Sequence, residues 1–279
     1  MAGKTIVVTG GTSGIGEVAA IRLAEQGARI VLVARDRARA DATLAKLQKA
    51  NPAATHTVHL ADLSSIADMK RVATEVAAAE PVIDVLVNNA GAVFLSRQES
   101  VDGLEMTFAT NHMAYFVVTN ILLPNLKSGA RIVSTASDAH KAARLNFDDL
   151  QMEDEYSVTR AYGTSKLCNI LFTRELAKRL AGTGVTANCL HPGFVGTRFG
   201  LNNATNILLR ALQRFIMLFG ISPEDGAKTI IYLASSGEVE GKTGGYYYKC
   251  QPEKTTAAAQ SDSNAKRLWD VSAKLAGVG

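Results

Sequence analysis

Tyr162 and Lys166 stand four residues apart in Tyr162-Gly163-Thr164-Ser165-Lys166. On a helix that spacing puts a phenol and an ammonium on one face, about 5–6 Å apart at their Cβ atoms. A phenol ionises near pH 10, too high for proton exchange at neutral pH, and an adjacent cation favours its ionised form. The pair is therefore suited to pass a proton to or from a bound oxygen. Tyr156 has no lysine four residues on and reads as structure or substrate lining. A second group with chemical meaning is Thr9-Gly10-Gly11-Thr12-Ser13-Gly14-Ile15-Gly16. Glycines let the backbone turn tightly, approach a pyrophosphate and aim the free N–H groups of a following helix at the anion. A plain strand-to-helix turn needs one or two glycines, not four.

These residues require elements that hold them. Short β-branched runs at 5–9, 29–33, 55–60, 83–87 and 131–134 read as buried strands. Helical spacing of apolar residues fills 16–26, 37–50, 64–79 and 103–123 between them. The rhythm continues with a helix at 160–180, a strand at 185–190, a helix at 223–234 and a strand at 245–248. Such alternation predicts an α/β fold, a doubly wound parallel sheet of about seven strands with helices on both faces. The glycine stretch falls between the first strand and the first helix, where a dinucleotide site needs it. No linker divides the chain, so residues 1–279 are expected as one domain, with 194–222 as a lid that interrupts the rhythm.

Arg35 ends the second strand, 19 residues beyond Gly16, where an acid would favour NAD(H). A guanidinium suits a 2′-phosphate, so NADP(H) is the expected cofactor and NAD(H) the alternative, with Asp36 within reach of a ribose hydroxyl. Asp62 and Leu63 follow the third strand; Asp62 reads equally as part of the cap of the next helix together with Ser64.

Gly10, Gly14 and Gly16 in GxxxGxG spacing, Asn88-Asn89-Ala90-Gly91 after the fourth strand, and the YxxxK pair together resemble the short-chain dehydrogenase/reductase family. The runs 161–172 and 173–180, with Leu190-His191-Pro192-Gly193-Phe194-Val195-Gly196-Thr197, are similar to its retinol-dehydrogenase and WW-domain-oxidoreductase branch. The resemblance implies a tetrad of Asn111, Ser137, Tyr162 and Lys166. In it Tyr162 exchanges the proton, Ser137 polarises the substrate oxygen, Lys166 lowers the tyrosine pKa and Asn111 supports a proton relay. It further implies a cofactor site of Gly10, Thr12, Ser13, Gly14, Ile15 and Gly16, with Arg35 at the ribose and Asp62 with Leu63 at the adenine. Asn89, Ala90 and Gly91 would line the ribose, Tyr162 and Lys166 would touch it, and Pro192, Gly193, Val195 and Thr197 would fix the nicotinamide. Among the hydroxyls of 134–137, Ser134 is assigned to the strand, and His191 to packing at a strand end. Family members also imply a homodimer or homotetramer.

Composition bounds the rest. With 47% apolar and 20% charged residues the chain reads as an ordinary globular protein, and a formal charge of +4 without a basic block argues against nucleic acid. Cys168, Cys189 and Cys250 show no disulfide or zinc spacing and read as buried thiols in a reducing cytoplasm. Neither an export leader nor a membrane span is expected. The apolar run 204–219 reads as a buried or interface helix or as a lid over an apolar pocket suited to a lipophilic substrate, and the resemblance then implies hydride transfer between NADP(H) and a lipophilic alcohol, ketone or aldehyde. Reduction of steroid-like or other bulky ketones and non-catalytic NADP sensing are the alternatives.

Overall fold

The computed structural model describes residues 1–193 and 221–278. Strands β1 (Thr5–Thr9), β2 (Arg29–Ala34), β3 (Thr57–Leu60), β4 (Ile83–Asn88), β5 (Leu126–Thr135), β6 (Thr186–Leu190) and β7 (Tyr246–Tyr248) pair in parallel. The order across the sheet is β3-β2-β1-β4-β5-β6-β7-β8. Alternate residues of each strand serve opposite faces. Val7, Val31 and Val33 join the core beneath helices α3 (Ile66–Ala79), α5 (Ala114–Leu122) and α6 (Val158–Arg179). Ile6, Val8, Ile30 and Leu32 join the core beneath α1 (Gly14–Glu25), α2 (Arg37–Ala50) and α7 (Pro223–Ser235). Both faces are dry, which is why these strands read as continuous apolar runs.

The order reverses between β1 and β4, and the crevice at the carboxyl ends of strands on either side of such a reversal is where ligands bind in sheets of this kind. The last helix, α8 (Asp262–Ala276), seats Trp269 edge-on to Phe116 at 4.9 Å and stacked on Phe172 at 5.8 Å. The Arg179 guanidinium covers the indole at 4.3 Å.

The sheet agrees with the expected count of about seven strands, with one short addition, and one expectation needs correction. An eighth strand, β8 (Gln251–Pro252), returns antiparallel to β7 through Lys249 and Cys250, whose φ values of 47° and 62° are both left-handed. Hairpin turns of that shape are usually signalled by Asn or Gly, and neither occurs here. The helix expected over 103–123 is interrupted. Glu105 accepts from the Thr107 and Phe108 N–H groups, both at 2.8 Å, and caps α4 (Met106–Phe108), which passes through a wide π-helical turn, Ala109–Met113, into α5. Among the cysteines, Cys168 and Cys189 are buried and Cys250 is half-buried.

Candidate active site

The glycine stretch turns from β1 into α1 with little room to spare. Gly10 has φ +67°, and a Cβ there would lie 2.7 Å from the Ala90 Cα. A Cβ on Gly16 would lie 2.3 Å from Asn89 Nδ2 and 2.4 Å from the Gly10 carbonyl oxygen. Asn89 fixes this corner by donating from Nδ2 to the Gly10 carbonyl at 3.1 Å and accepting at Oδ1 from the Thr135 hydroxyl at 3.4 Å. Thr9 Oγ1 accepts from the N–H groups of Asn89 and Ala90 at 3.0 and 3.1 Å. Thr12 is half-buried, Ser13 is exposed and Ile15 packs on the core under α1. Ser13 supplies no side-chain cap, so the first N–H groups of α1 face the crevice uncapped by it.

Arg35 is exposed, and among the described residues it makes no hydrogen bond or ion pair. The carboxylate of Asp36 caps α2, accepting from Arg39 N at 2.9 Å. Asp62 Oδ1 accepts from the Ser64 N–H and hydroxyl at 3.0 and 2.8 Å, while Ser65 caps α3. Leu63 beside it is buried in the core.

Across the crevice, Tyr162 and Lys166 sit on α6, Ser137 follows β5, and Asn111 lies inside the π-helical turn, a feature frequent at functional sites. Asn111 Oδ1 accepts from Ala92 N at 2.7 Å, and its Nδ2 donates to the Ala92 carbonyl at 3.0 Å and to Ser165 Oγ at 3.0 Å. Ser165 in turn donates to the Tyr162 carbonyl at 2.8 Å. Ser137 hydrogen-bonds the Tyr162 phenol and accepts at Oγ from Ala139 N at 3.2 Å. Lys166 is 2% exposed and donates to the Thr135 carbonyl at 3.1 Å, with its Nζ 5.7 Å from the ring centroids of both Tyr162 and Tyr115. Gly91 leaves room against Asn111 and Lys166, at 3.2 and 3.5 Å from where a Cβ would stand.

Burial pulls the Lys166 ammonium down to about 7. Burial raises the Tyr162 phenol above its ordinary value, and the bond to Ser137 works in the opposite direction. The Thr135 carbonyl holds the lysine beside the ring, and Ser137 acts on the phenol.

A cleft of about 500 Å³ opens beside Ser137 and Tyr162, bounded also by His191, Gly193, Tyr248 and Glu253. His191 stacks on Tyr248 at 4.1 Å, faces Glu253 Oε2 through Nε2 at 3.0 Å and accepts at Nδ1 from Gly193 N at 3.3 Å, a packed and partnered role. Gly193 has φ +86° and, with Pro192, turns the chain out of β6. Val195, Thr197 and the expected lid at 194–222 lie outside the described residues, save Ile221 and Ser222; Ser222 caps α7. Tyr156 donates to the Phe94 carbonyl at 2.8 Å, away from Lys166.

Sequence reasoning missed Thr135, Ser165 and Tyr115. Thr135 acts through its backbone and leaves no side-chain signal. Ser165 and Tyr115 stand out only as polar side chains on otherwise buried helix faces.

The sequence matches the family model described as short chain dehydrogenase over residues 4–206. The chain belongs to the short-chain dehydrogenase family. Among curated relatives of this dehydrogenase, Retinol dehydrogenase 14 of Mus musculus and of Homo sapiens are each 41% identical over the whole chain, covering 87% and 88% of their own lengths. An uncharacterised protein from Mycobacterium paratuberculosis has a crystal structure similar at a TM-score of 0.79, with 31% identity over 99% of this chain and 94% of that one. A short chain dehydrogenase from Burkholderia cenocepacia, solved in complex with NADP, is similar at a TM-score of 0.70 and 26% identity over 88% of this chain and 95% of that one. The dehydrogenase is accordingly a pyridine-nucleotide oxidoreductase acting on CH–OH groups. Among its described residues no helix is long and apolar enough to cross a membrane.

Proposed function

We propose that the protein transfers hydride between NADP(H) and a lipophilic alcohol, ketone or aldehyde. The reading rests above all on Asn111, Ser137, Tyr162 and Lys166 converging across the crevice from a glycine corner with no room for side chains. That corner fits a pyrophosphate, because Gly10 and Gly16 bring backbone N–H groups to the α1 terminus. Gly10, Thr12, Ser13, Gly14, Ile15 and Gly16 would hold the phosphates, Asn89, Ala90 and Gly91 the ribose, Asp62 and Leu63 the adenine, and Pro192 and Gly193 the nicotinamide. NADP(H) is favoured over NAD(H) because Asp36 is engaged as a helix cap while Arg35 stands exposed for a 2′-phosphate. When bound, the cofactor supplies or accepts the hydride.

The chain's own groups handle the proton. Ser137 donates to the substrate oxygen and aligns the phenol; Tyr162 gives up its proton to the forming alkoxide or takes it from an alcohol. Lys166, near neutrality in its titration, restores that proton, and Asn111 with Ser165 holds the π-helical turn and α6 in register around it. The lipophilic substrate class is drawn from the names of the retinol dehydrogenase relatives. A cytoplasmic homodimer or homotetramer, folded as one domain, belongs to the same reading.

Fluorescence titration with NADPH and NADH, followed by turnover of a panel of lipophilic alcohols and carbonyls, tests it. NADPH binding at least tenfold tighter than NADH, with turnover abolished in Tyr162→Phe, is the expected result. NADPH binding without turnover of any panel member would favour the sensing alternative, and preference for bulky ketones the steroid-like one.

A further inference from the structure

Glu253 follows β8 and is fixed there by its backbone N–H, which donates to the Tyr246 carbonyl on β7 at 2.8 Å. Its carboxylate reaches two other segments. Oε2 lies 3.0 Å from His191 Nε2 at the exit of β6, and Oε1 accepts from Lys141 Nζ at 3.3 Å. Lys141 belongs to the short 3-10 turn, Asp138–Ala142, that Ser137 caps. The Gly193 N–H donates to His191 Nδ1, so the neutral ring carries its proton on Nε2 and donates it to Glu253. Stacking adds to the same junction. Tyr246 meets the His140 ring at 5.1 Å and the His191 ring at 5.6 Å, and Tyr248 lies flat on His191 at 4.1 Å. His140 is fully buried, and its Nδ1 donates to the Ser137 carbonyl at 2.7 Å. His140 and Lys141, consecutive residues of the Ser137 turn, are thus both held by the β7–β8 hairpin.

Asp138, His191 and Glu253 bring possible ligand atoms within 4.8 Å of one another, close enough to suggest a cation site. The Lys141 ammonium already joins the two carboxylates, at 2.5 Å from Asp138 and 3.3 Å from Glu253, and the imidazole nitrogen facing Glu253 carries a proton. The group is therefore built to tie segments together rather than to hold a metal.

We propose that Glu253 is a positioning residue for Ser137, its carboxylate tying the Ser137 turn to the turn at Gly193 across the mouth of the cleft. The inference deepens the oxidoreductase reading and rests on it for the roles of Ser137 and Gly193. The sheet holds the two chains in register as far as Ala136 and Leu190, whose N–H and carbonyl bond at 2.7 Å. Beyond them the Glu253 carboxylate bridges the two turns. In that reading Ser137 polarises the substrate oxygen and the Gly193 turn lies against the nicotinamide, so the separation of the turns sets where the reacting carbon stands between hydride and hydroxyl.

The test compares Glu253→Ala in the native chain and in a Ser137→Ala background, on the full chain with NADPH and the best substrate. In the native background kcat is expected to fall about tenfold, with the Kd for NADPH within about twofold of native. Without a Ser137 hydroxyl to position, the same substitution is expected to cost less than about twofold. Equal losses in the two backgrounds overturn the proposal, since a loosened fold slows both alike; so does an unchanged kcat in the native background. Lys141→Met removes only the solvent-facing arm and is expected to lower kcat about threefold with the same dependence on Ser137. It decides the matter if Glu253→Ala fails to fold: an unchanged kcat, or an equal loss in both backgrounds, then overturns the proposal. Amide hydrogen exchange followed by mass spectrometry needs no turnover. Exchange at Asp138–Ala142 is expected to quicken at least about fivefold in Glu253→Ala while that of α1 stays at its native rate, and unmoved exchange in the turn overturns the proposal. If the native protein turns over nothing, the oxidoreductase reading falls, while the exchange measurement still decides whether Glu253 holds the Ser137 turn.

Discussion

Gly16→Ala adds one carbon where the structure has no place for it. Its Cβ would stand 2.3 Å from Asn89 Nδ2 and 2.4 Å from the Gly10 carbonyl oxygen, roughly 1 Å inside ordinary contact. Neither neighbour yields cheaply. The Gly10 oxygen is backbone, and the Asn89 amide is tied to Gly10 and Thr135. Overpacking costs about 1–3 kcal/mol, and loss of the Asn89 to Gly10 hydrogen bond adds about 1 kcal/mol. In a chain of this size the sum is expected to lower the Tm by roughly 5–10 °C. The shift that relieves the clash also tilts the start of α1 away from the phosphates, so NADPH affinity is expected to fall by about 10–100-fold, equivalent to about 1.4–2.8 kcal/mol. Calorimetry and fluorescence titration read the two quantities on the same sample. Gly237→Ala is the control: nothing lies within 4 Å of its Cβ position, and it is expected to leave Tm and affinity near native values. An alanine at position 16 that binds NADPH as tightly as the native protein would refute the claim that this corner is a close-packed phosphate cradle.

Tyr162→Phe is expected to lower kcat by at least about 10³-fold with NADPH affinity unchanged by titration, because the ring remains and only the proton is lost. Arg35→Ala is expected to raise the Kd for NADPH about tenfold while leaving NADH unaffected; equal weakening of both would remove Arg35 from the 2′-phosphate. Burial holds His112 down to about 3, against an ordinary value of 6.5. The folded state thus resists a proton that the unfolded chain accepts, so the stabilising contribution is complete above pH about 6.5 and is lost as pH falls toward 3, by several kcal/mol. Urea titrations across that range are expected to show a shallower acid slope in His112→Asn, and an unchanged slope would place the acid sensitivity elsewhere.

The alternation of strands and helices and the glycine corner were legible in the sequence because each leaves a local signature, such as the apolar run Ile6-Val7-Val8 or four glycines between β1 and α1, whereas the order of the strands across the sheet leaves none. The residues converging on Lys166 were legible only in part. Tyr162 and Lys166 share a helix face that spacing reveals, whereas the lysine's partner is the backbone of Thr135, which has no signature of its own. The π-helical turn carrying Asn111 is also silent, since one extra residue in a turn leaves the apolar rhythm of 103–123 nearly intact. The β7–β8 turn escaped notice because Lys249 and Cys250 adopt left-handed backbone that sequence reading assigns to Asn or Gly.

The crowding around Gly10 and Gly16 and the openness around Arg35 set very different constraints on how such a chain can diverge. A side chain at position 16 meets the Gly10 backbone oxygen as well as Asn89, so no change at Asn89 alone makes room for it. Arg35 has no hydrogen bond or ion pair among the described residues that would have to change with it. Under the proposed role of Arg35 at the 2′-phosphate, selection can exchange one nicotinamide cofactor for the other by substituting a single exposed side chain, while the fold and the phosphate corner are inherited unaltered.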